Sequence, residues 1–131
     1  MIFPMITGAH FLLYSPDPEA DRSFFRDVLR FPSVDVGHGW LIFGLPAAEL
    51  AVHPTDDEPA AQAEQPLLRT GFYLMCDDLP ELLRKLEAQG IPPTEVTQAP
   101  WGMKTTIRLP SGGEVGLYQP SHPTALGLAH P

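Results

Sequence analysis

The chain lacks the features that mark secreted or membrane-embedded proteins. Its one cysteine, Cys76, cannot form an intrachain disulfide, so nothing indicates an oxidising compartment. No apolar run approaches the ~18 residues that a membrane-spanning helix needs. The apolar residues 1–6 follow no basic residue and precede no A-x-A-like cleavage site, which is not typical of a signal peptide. We therefore expect a soluble cytoplasmic protein without a membrane partner.

Basic residues are also scarce. Eight Lys and Arg residues stand against 16 Asp and Glu residues, and the formal net charge is -8. This balance argues against DNA or RNA as a partner. It would suit a cationic ligand, although a solvated acidic surface is the simpler explanation. With 131 residues, of which 44% are hydrophobic, the chain is long enough for one compact domain with a sizeable core.

The sequence contains an internal repeat. LPAAELAVH at 45–53 returns as LPSGGEVGLY at 109–118, with one residue added in the turn. Upstream of each copy the chain shows the same order of elements: an apolar strand, an Asp-capped amphipathic helix and short strands. The repeat predicts an α+β fold made of two tandem βαβββ modules.

Each predicted helix begins with an aspartate and a proline. Asp17 is placed as the N-cap of the first helix, whose apolar face carries Phe24, Phe25, Val28 and Leu29, while Asp21, Arg22 and Arg26 are expected to face solvent. In the second helix Asp78 is the N-cap and Glu81 follows three residues later, a capping-box pattern. Its apolar stripe consists of Leu79, Leu82, Leu83 and Leu86.

The predicted strands follow from short apolar or alternating segments between turn residues. They cover residues 9–14, 33–36, 40–45 and 49–53 in the first half, and 67–76, 95–98, 103–109 and 114–119 in the second. An acidic, Ala-rich connector separates the halves, and the proline-containing tail is expected to be loose or to pack late.

Two motifs resemble those of the vicinal-oxygen-chelate superfamily, which includes glyoxalase I, extradiol dioxygenases and bleomycin-resistance proteins. The segment HFLLYSPDP at 10–18, followed by FFRDVL at 24–29, resembles the family's opening motif, and LPSGGEV at 109–115 resembles its closing motif. The resemblance implies a single domain over 1–131, with module one at 5–54, a connector at 55–66, module two at 67–120 and a tail at 121–131. The sheets would curl into a U-shaped cleft with helices on the outer face.

In the enzymes of that family, up to four cleft-facing side chains bind a divalent metal. The resemblance places the corresponding positions at His10, Ala51, Gly71 and Gly116. Because alanine and glycine have no side-chain donor atom, and a catalytic metal usually needs about three protein ligands, we expect no metal, cofactor or catalytic residue of the family type.

Strand parity predicts which side chains face the cleft. If Ala51 and Gly116 face it, their neighbours two residues away do so too, and Val115 and Leu117 point into the core. The third strands are placed more loosely, with Ile42, Lys104 and Thr106 turned towards the cleft. The predicted ligand-binding residues are His10, Tyr14, Trp40, Glu49, His53, Tyr73, Trp101, Arg108, Glu114 and Tyr118.

These expectations favour a protein that sequesters a small molecule without a metal, similar to the bleomycin-resistance branch. The alternative is a lyase, oxidoreductase or transferase with an unconventional metal or acid–base site around His10, using His53 and Glu49 or Glu114. A third possibility is a degenerate module that serves a partner protein. The resemblance also implies a homodimer, and whether the modules pair within one chain or between two stays open.

Overall fold

A computed structural model describes Met5, residues 8–53 and residues 70–128. Two helices and six strands give the mixed α+β fold that the sequence predicts. The elements are, in chain order, α1 (Pro18–Asp27), β1 (Ser33–Asp35), β2 (Leu41–Phe43), β3 (Tyr73–Met75), α2 (Leu79–Glu87), β4 (Thr97–Ala99), β5 (Gly102–Arg108) and β6 (Glu114–Pro120). The predicted connector and the end of the tail lie outside the described residues.

Both helices begin where the aspartate–proline pattern predicts. The Asp17 carboxylate accepts a hydrogen bond from the Ala20 amide at 3.2 Å, and the Asp78 carboxylate accepts one from the Glu81 amide at 3.1 Å. These bonds satisfy amides that a helix leaves without partners in its first turn. The two caps therefore fix the start of each helix and the face that each turns to the sheet.

The second half of the chain forms a four-stranded sheet of order β3-β6-β5-β4. Strands β3 and β6 are parallel, with Tyr73 opposite Gly116, whereas β6 pairs antiparallel with β5 along its whole length. The first and last strands of this half therefore lie side by side. Strands β3 to β6 overlap the predicted segments 67–76, 95–98, 103–109 and 114–119, and residues 67–69 of the first segment lie outside the described residues.

The core lies between this sheet and both helices. Ile107, Val115 and Leu117 are almost completely buried and belong to one cluster with residues of α1 and α2. Val115 and Leu117 thus point into the core as strand parity predicts. Burial of these apolar side chains supplies the main driving force for the packing of helices on the sheet.

Helix α1 also reaches the turn between β5 and β6. The Asp21 carboxylate is 6% exposed and accepts hydrogen bonds from the Ser111 amide at 3.1 Å and the Ser111 hydroxyl at 2.7 Å. The expectation that Asp21 faces solvent is therefore wrong. A buried carboxylate is tolerated here because both of its oxygens have donors from the Ser111 turn.

The first half departs from the prediction. Strands β1 and β2 form a hairpin, but residues 9–14 and 49–53 do not form strands. The residues of these two segments are exposed except Glu49, which is half-buried. A strand requires a hydrogen-bonded neighbour, which sequence periodicity cannot guarantee. Within the described residues, no helix is long and apolar enough to cross a membrane.

Candidate functional site

The aromatic ring of Tyr73 lies against strand β6 at Gly116. A Cβ atom built at Gly116 would lie 2.2 Å from this ring, and one built at Gly71 would lie 3.5 Å from it. Only glycine at position 116 therefore leaves room for the ring in this place. Tyr73 is 43% exposed, so the other side of its ring is open to a ligand.

Two further aromatic residues extend this surface. Tyr118 packs edge-on against Tyr73 with 6.3 Å between ring centroids, and edge-on against Trp101 at 5.2 Å. The Tyr118 hydroxyl donates a hydrogen bond to the Trp101 carbonyl oxygen at 3.0 Å, which fixes both residues. We call the surface formed by Tyr73, Trp101 and Tyr118 the aromatic cleft. Tyr118 is buried, whereas Tyr73 is 43% and Trp101 37% exposed, so these two rings offer the apolar contact area of the cleft.

Polar groups lie beside the aromatic cleft. The Lys104 ammonium group is 5.1 Å from the centre of the Trp101 ring, within the range of a cation–π interaction. Lys104 also lines a small cavity of about 160 Å³, whose lining residues are Tyr73, Thr94, Glu95, Thr97, Lys104, Thr105 and Thr106. The cavity thus combines one aromatic ring with hydroxyl groups and two opposite charges.

A chain of hydrogen bonds orders one side of this cavity. The hydroxyl groups of Thr94 and Thr106 are 2.7 Å apart, and the Thr106 hydroxyl donates to the Glu114 carboxylate at 3.0 Å. The Arg108 guanidinium lies 3.7 Å from the other oxygen of Glu114. Glu114 and Arg108 therefore hold the threonine hydroxyls in place from the edge of the cavity.

Glu49 contacts the C-terminal segment beside the aromatic cleft. Its carboxylate accepts a hydrogen bond from the Ala125 amide at 2.8 Å and lies 3.9 Å from His122 Nε2. The His122 ring in turn lies 5.8 Å from the Tyr118 ring. Ser121, His122 and Ala125 thus attach the segment 121–128 beside the cleft, so of the two expectations for the tail, packing applies to these residues.

Burial raises the pKa of the Tyr118 phenol, and the Glu49 carboxylate raises it further by disfavouring a second negative charge. Tyr118 therefore stays protonated at neutral pH and acts as a hydrogen-bond donor to the Trp101 carbonyl. This protonation state is unsuited to a general base.

The residues predicted to bind a ligand fall into two groups in the structure. Glu49, Tyr73, Trp101, Arg108, Glu114 and Tyr118 lie on or beside the aromatic cleft, as described above. Tyr14, by contrast, is 85% exposed, and Trp40 lies under the Arg22 guanidinium of α1 at 4.4 Å. His10 and His53 are exposed in the segments 9–14 and 49–53. The structure also adds His122 and Thr94, to which the sequence assigned no role.

A model of the glyoxalase/bleomycin resistance protein/dioxygenase superfamily matches residues 8–117. The chain belongs to this superfamily. The match spans both halves of the chain and ends one residue before Tyr118. The C-terminal segment 121–128 therefore lies outside the match. No curated protein is significantly similar in sequence to the chain.

Solved structures of the superfamily share the fold. TnmS3, an antibiotic-binding protein from Streptomyces sp. CB03234, is 21% identical with a TM-score of 0.62, over 91% of this chain and 100% of that one. A lactoylglutathione lyase from Agrobacterium tumefaciens is 22% identical with a TM-score of 0.59, over 88% and 95%. Binding proteins and enzymes are both among these neighbours, so the fold alone does not decide between the two functions.

The side chains present do not fit the metal that the superfamily's enzymes bind. Of the four positions that the resemblance assigns to ligands, only His10 offers a donor atom, and the Tyr73 ring fills the space beside Gly116. Among the described residues, no three His, Cys, Asp or Glu side chains are grouped so that they could hold a metal ion. No metal-dependent step can therefore be derived for this site.

Proposed function

We propose that this protein binds a small organic molecule in the aromatic cleft without the help of a metal. The observation that supports this most strongly is the Tyr73 ring on Gly116, because it replaces a possible metal ligand with an aromatic contact surface. Pockets for small molecules commonly combine aromatic side chains with a few polar groups that fix orientation. The aromatic cleft and its threonine hydroxyls have this composition.

The charges beside the cleft indicate the kind of ligand. Lys104 and Glu95 are the charged side chains that line the cavity. Because their charges are opposite, the net charge of the lining is close to zero. We therefore infer a planar neutral or zwitterionic ligand, with a ring stacked on Tyr73 and a hydrogen-bonding group near Lys104 and Thr106. The net negative charge of the chain is then a property of its outer surface.

Metal titration is the first test of this proposal. We expect calorimetry with Zn, Ni, Mn and Fe(II), together with elemental analysis of the purified protein, to show no stoichiometric binding, since three of the four superfamily positions lack a donor. His10→Ala should behave like the wild type in the same titrations. Stoichiometric uptake that disappears in His10→Ala would overturn the metal-free proposal and favour an enzyme.

A ligand found by thermal-shift screening of planar compounds would then test the cleft itself. Tyr73→Ala should weaken its binding by about tenfold or more, because the stacking surface is lost, whereas Tyr73→Phe should bind within about twofold of the wild type. Trp101→Phe should remove the ligand-dependent change in tryptophan fluorescence. A ligand that binds all three variants equally well would lie elsewhere.

We further propose that the protein is a homodimer. Most of its exposed large apolar side chains lie in the first half, where Leu50 is 89% and Val52 is 87% exposed. Residues 9–14 and 50–52 have strand-like sequences and exposed apolar side chains, but they form no strand within the part of the chain that the structure describes. A second copy offers the same segments in return and would bury both sets.

The dimer proposal predicts a mass of about twice 14.4 kDa in light scattering. Leu50→Arg should shift the protein towards the mass of one chain, because it places a charge on the apolar surface that the partner would bury. Leu128→Arg, at a position 75% exposed in the C-terminal segment, is the matched control and should leave the mass unchanged. A wild-type protein with the mass of one chain at high concentration would contradict the proposal.

A further inference from the structure

A second, larger cavity lies at the C-terminal ends of β3 and β6, away from the threonine-lined one. Its volume is about 420 Å³, and it is lined by Met75, Cys76, Asp77, Gln119, Pro120, His122, Thr124 and Leu126. Cavities that hold small organic ligands begin at roughly 300 Å³. This cavity is therefore large enough for a small organic molecule.

One side of this cavity is formed by residues 121–128, which we call the strap. The Ser121 amide donates a hydrogen bond to the Trp101 carbonyl at 2.9 Å, and the Ala125 amide donates to Glu49 at 2.8 Å. The strap is thus fixed both to the sheet and to the first half of the chain. It lies beyond the residues that match the superfamily, so this cavity depends on a segment that the family match does not include.

The charges around the cavity favour a cation. Asp77 is the acidic side chain of its lining, which contains no lysine or arginine; the other titratable residues there are Cys76 and His122. The neighbouring N-terminus of α2 is not open to an anion, because the Leu79 amide already donates to Gln119 Oε1 at 2.7 Å and the Glu81 amide donates to Asp78. Met75, Pro120 and Leu126 provide apolar contact area in the same lining.

We propose that the cavity beneath the strap is a second binding site, which takes a small amphipathic organic cation. The apolar body of the ligand would contact Met75 and Leu126, and its cationic group would lie near the Asp77 carboxylate. Glu49 would hold the strap closed over the ligand through its bond to the Ala125 amide. This cavity shares no lining residue with the threonine-lined cavity, so ligand binding at the two places can be tested separately.

Cys76 provides a direct measure of whether the cavity is occupied. It is the one cysteine of the chain, lines the cavity and is partly buried. Burial also raises the pKa of its thiol, so alkylation by iodoacetamide should be slow at neutral pH and should accelerate as the pH rises. A ligand in the cavity should slow the reaction further by covering the sulfur atom.

The test compares phenethylammonium with phenylpropanoate, an anion of similar size and shape. We expect phenethylammonium to slow Cys76 alkylation saturably by about fivefold or more, and phenylpropanoate to have little effect. Asp77→Asn should weaken the protection constant for the cation by about fivefold, whereas Glu87→Gln, the same change of charge on the exposed side of α2, should not. Leu126→Trp should fill the cavity and abolish protection, and Leu128→Trp should not.

Three results would overturn the proposal: equal protection by the anion, no protection by the cation at any concentration that leaves the fold intact, or equal effects of Asp77→Asn and Glu87→Gln. Amide chemical shifts in NMR provide a second measurement, and those caused by the cation should centre on Cys76 and Leu126. Tyr73→Ala should leave the protection by phenethylammonium unchanged. Failure of this site is therefore distinguishable from failure of the aromatic cleft.

Discussion

Gly116→Ala is expected to force the Tyr73 ring off strand β6 and thereby to destabilise the aromatic cleft. The new Cβ atom would lie 2.2 Å from one ring carbon and 2.5 Å from the next, which no real contact permits. Either the ring rotates away or β3 moves relative to β6, and overpacking of this kind costs about 1–3 kcal/mol. Denaturant unfolding would measure the loss of stability, and titration with a cleft ligand would show the loss of binding.

A double-mutant cycle separates the ring from other effects of the substitution. In the background of Tyr73→Ala, which removes the ring, Gly116→Ala should cost little, so the coupling energy should be about 1–2 kcal/mol. Gly113→Ala is the matched control, because its Cβ would meet only the Ser111 hydroxyl at 3.7 Å. If Gly116→Ala were equally costly with and without the Tyr73 ring, the ring would not be held by the space at Gly116.

The Gly116 position explains how one residue bears on two features of the site. Its lack of a side chain removes a possible metal ligand from the position that the superfamily resemblance assigns. The same lack makes room for the Tyr73 ring, which we propose as the contact surface for an uncharged ring system. Under the proposed function, the absent metal ligand and the ring contact surface have the same cause, because a side chain at position 116 would overlap the Tyr73 ring.

The helices and the second-half sheet were predictable because their signals are local. Asp17 and Asp78 cap helices that start within a residue of the prediction, and the alternation of Val115 and Leu117 with polar neighbours places them in the core. These signals depend on hydrogen bonds and side-chain directions within a few residues. A single sequence is therefore enough to predict these helix caps and this strand alternation.

The missed features all depend on contacts between distant parts of the chain. Asp21 is buried because Ser111, ninety positions away, donates two hydrogen bonds to its carboxylate. Glu49 holds the strap through the Ala125 backbone amide, a contact that no side-chain pattern indicates. Residues 9–14 and 49–53 have strand-like sequences, but pairing also requires a neighbouring strand edge, which the sequence of one segment cannot supply.

In the candidate site, too, the features that depend on local signals were predicted, and those that depend on distant contacts were missed. Strand parity correctly placed Tyr73 and Tyr118 on the face of Gly116, because alternation along a strand is local. The position of the Tyr73 ring on Gly116 follows from the parallel register of β3 and β6, which is not encoded within either strand. His122 was missed because it follows the last strand, and its contact with Tyr118 depends on the path of the strap.

Gly102→Ala is expected to be the most destabilising single substitution that we predict. Gly102 begins β5 with a φ of +150°, and a Cβ atom there would lie 2.3 Å from the Gln119 carbonyl oxygen. Unlike a flexible side chain, this carbonyl belongs to the β5–β6 ladder, where Gly102 pairs with Pro120, so it cannot move without opening the end of the sheet. Steric overlap and backbone strain together should cost about 2–5 kcal/mol.

Gly90→Ala separates the two contributions to that cost. Gly90 also has a positive φ of +79°, but a Cβ atom there would meet nothing within 4 Å, so its substitution should cost only about 1 kcal/mol. Since the Trp101 carbonyl accepts bonds from both Tyr118 and Ser121, opening the sheet at Gly102 should also loosen the cleft and the strap together. Gly102→Ala should then accelerate Cys76 alkylation, whereas Gly90→Ala should not. Equal unfolding midpoints for the two variants would show that the Gln119 carbonyl does not restrict position 102.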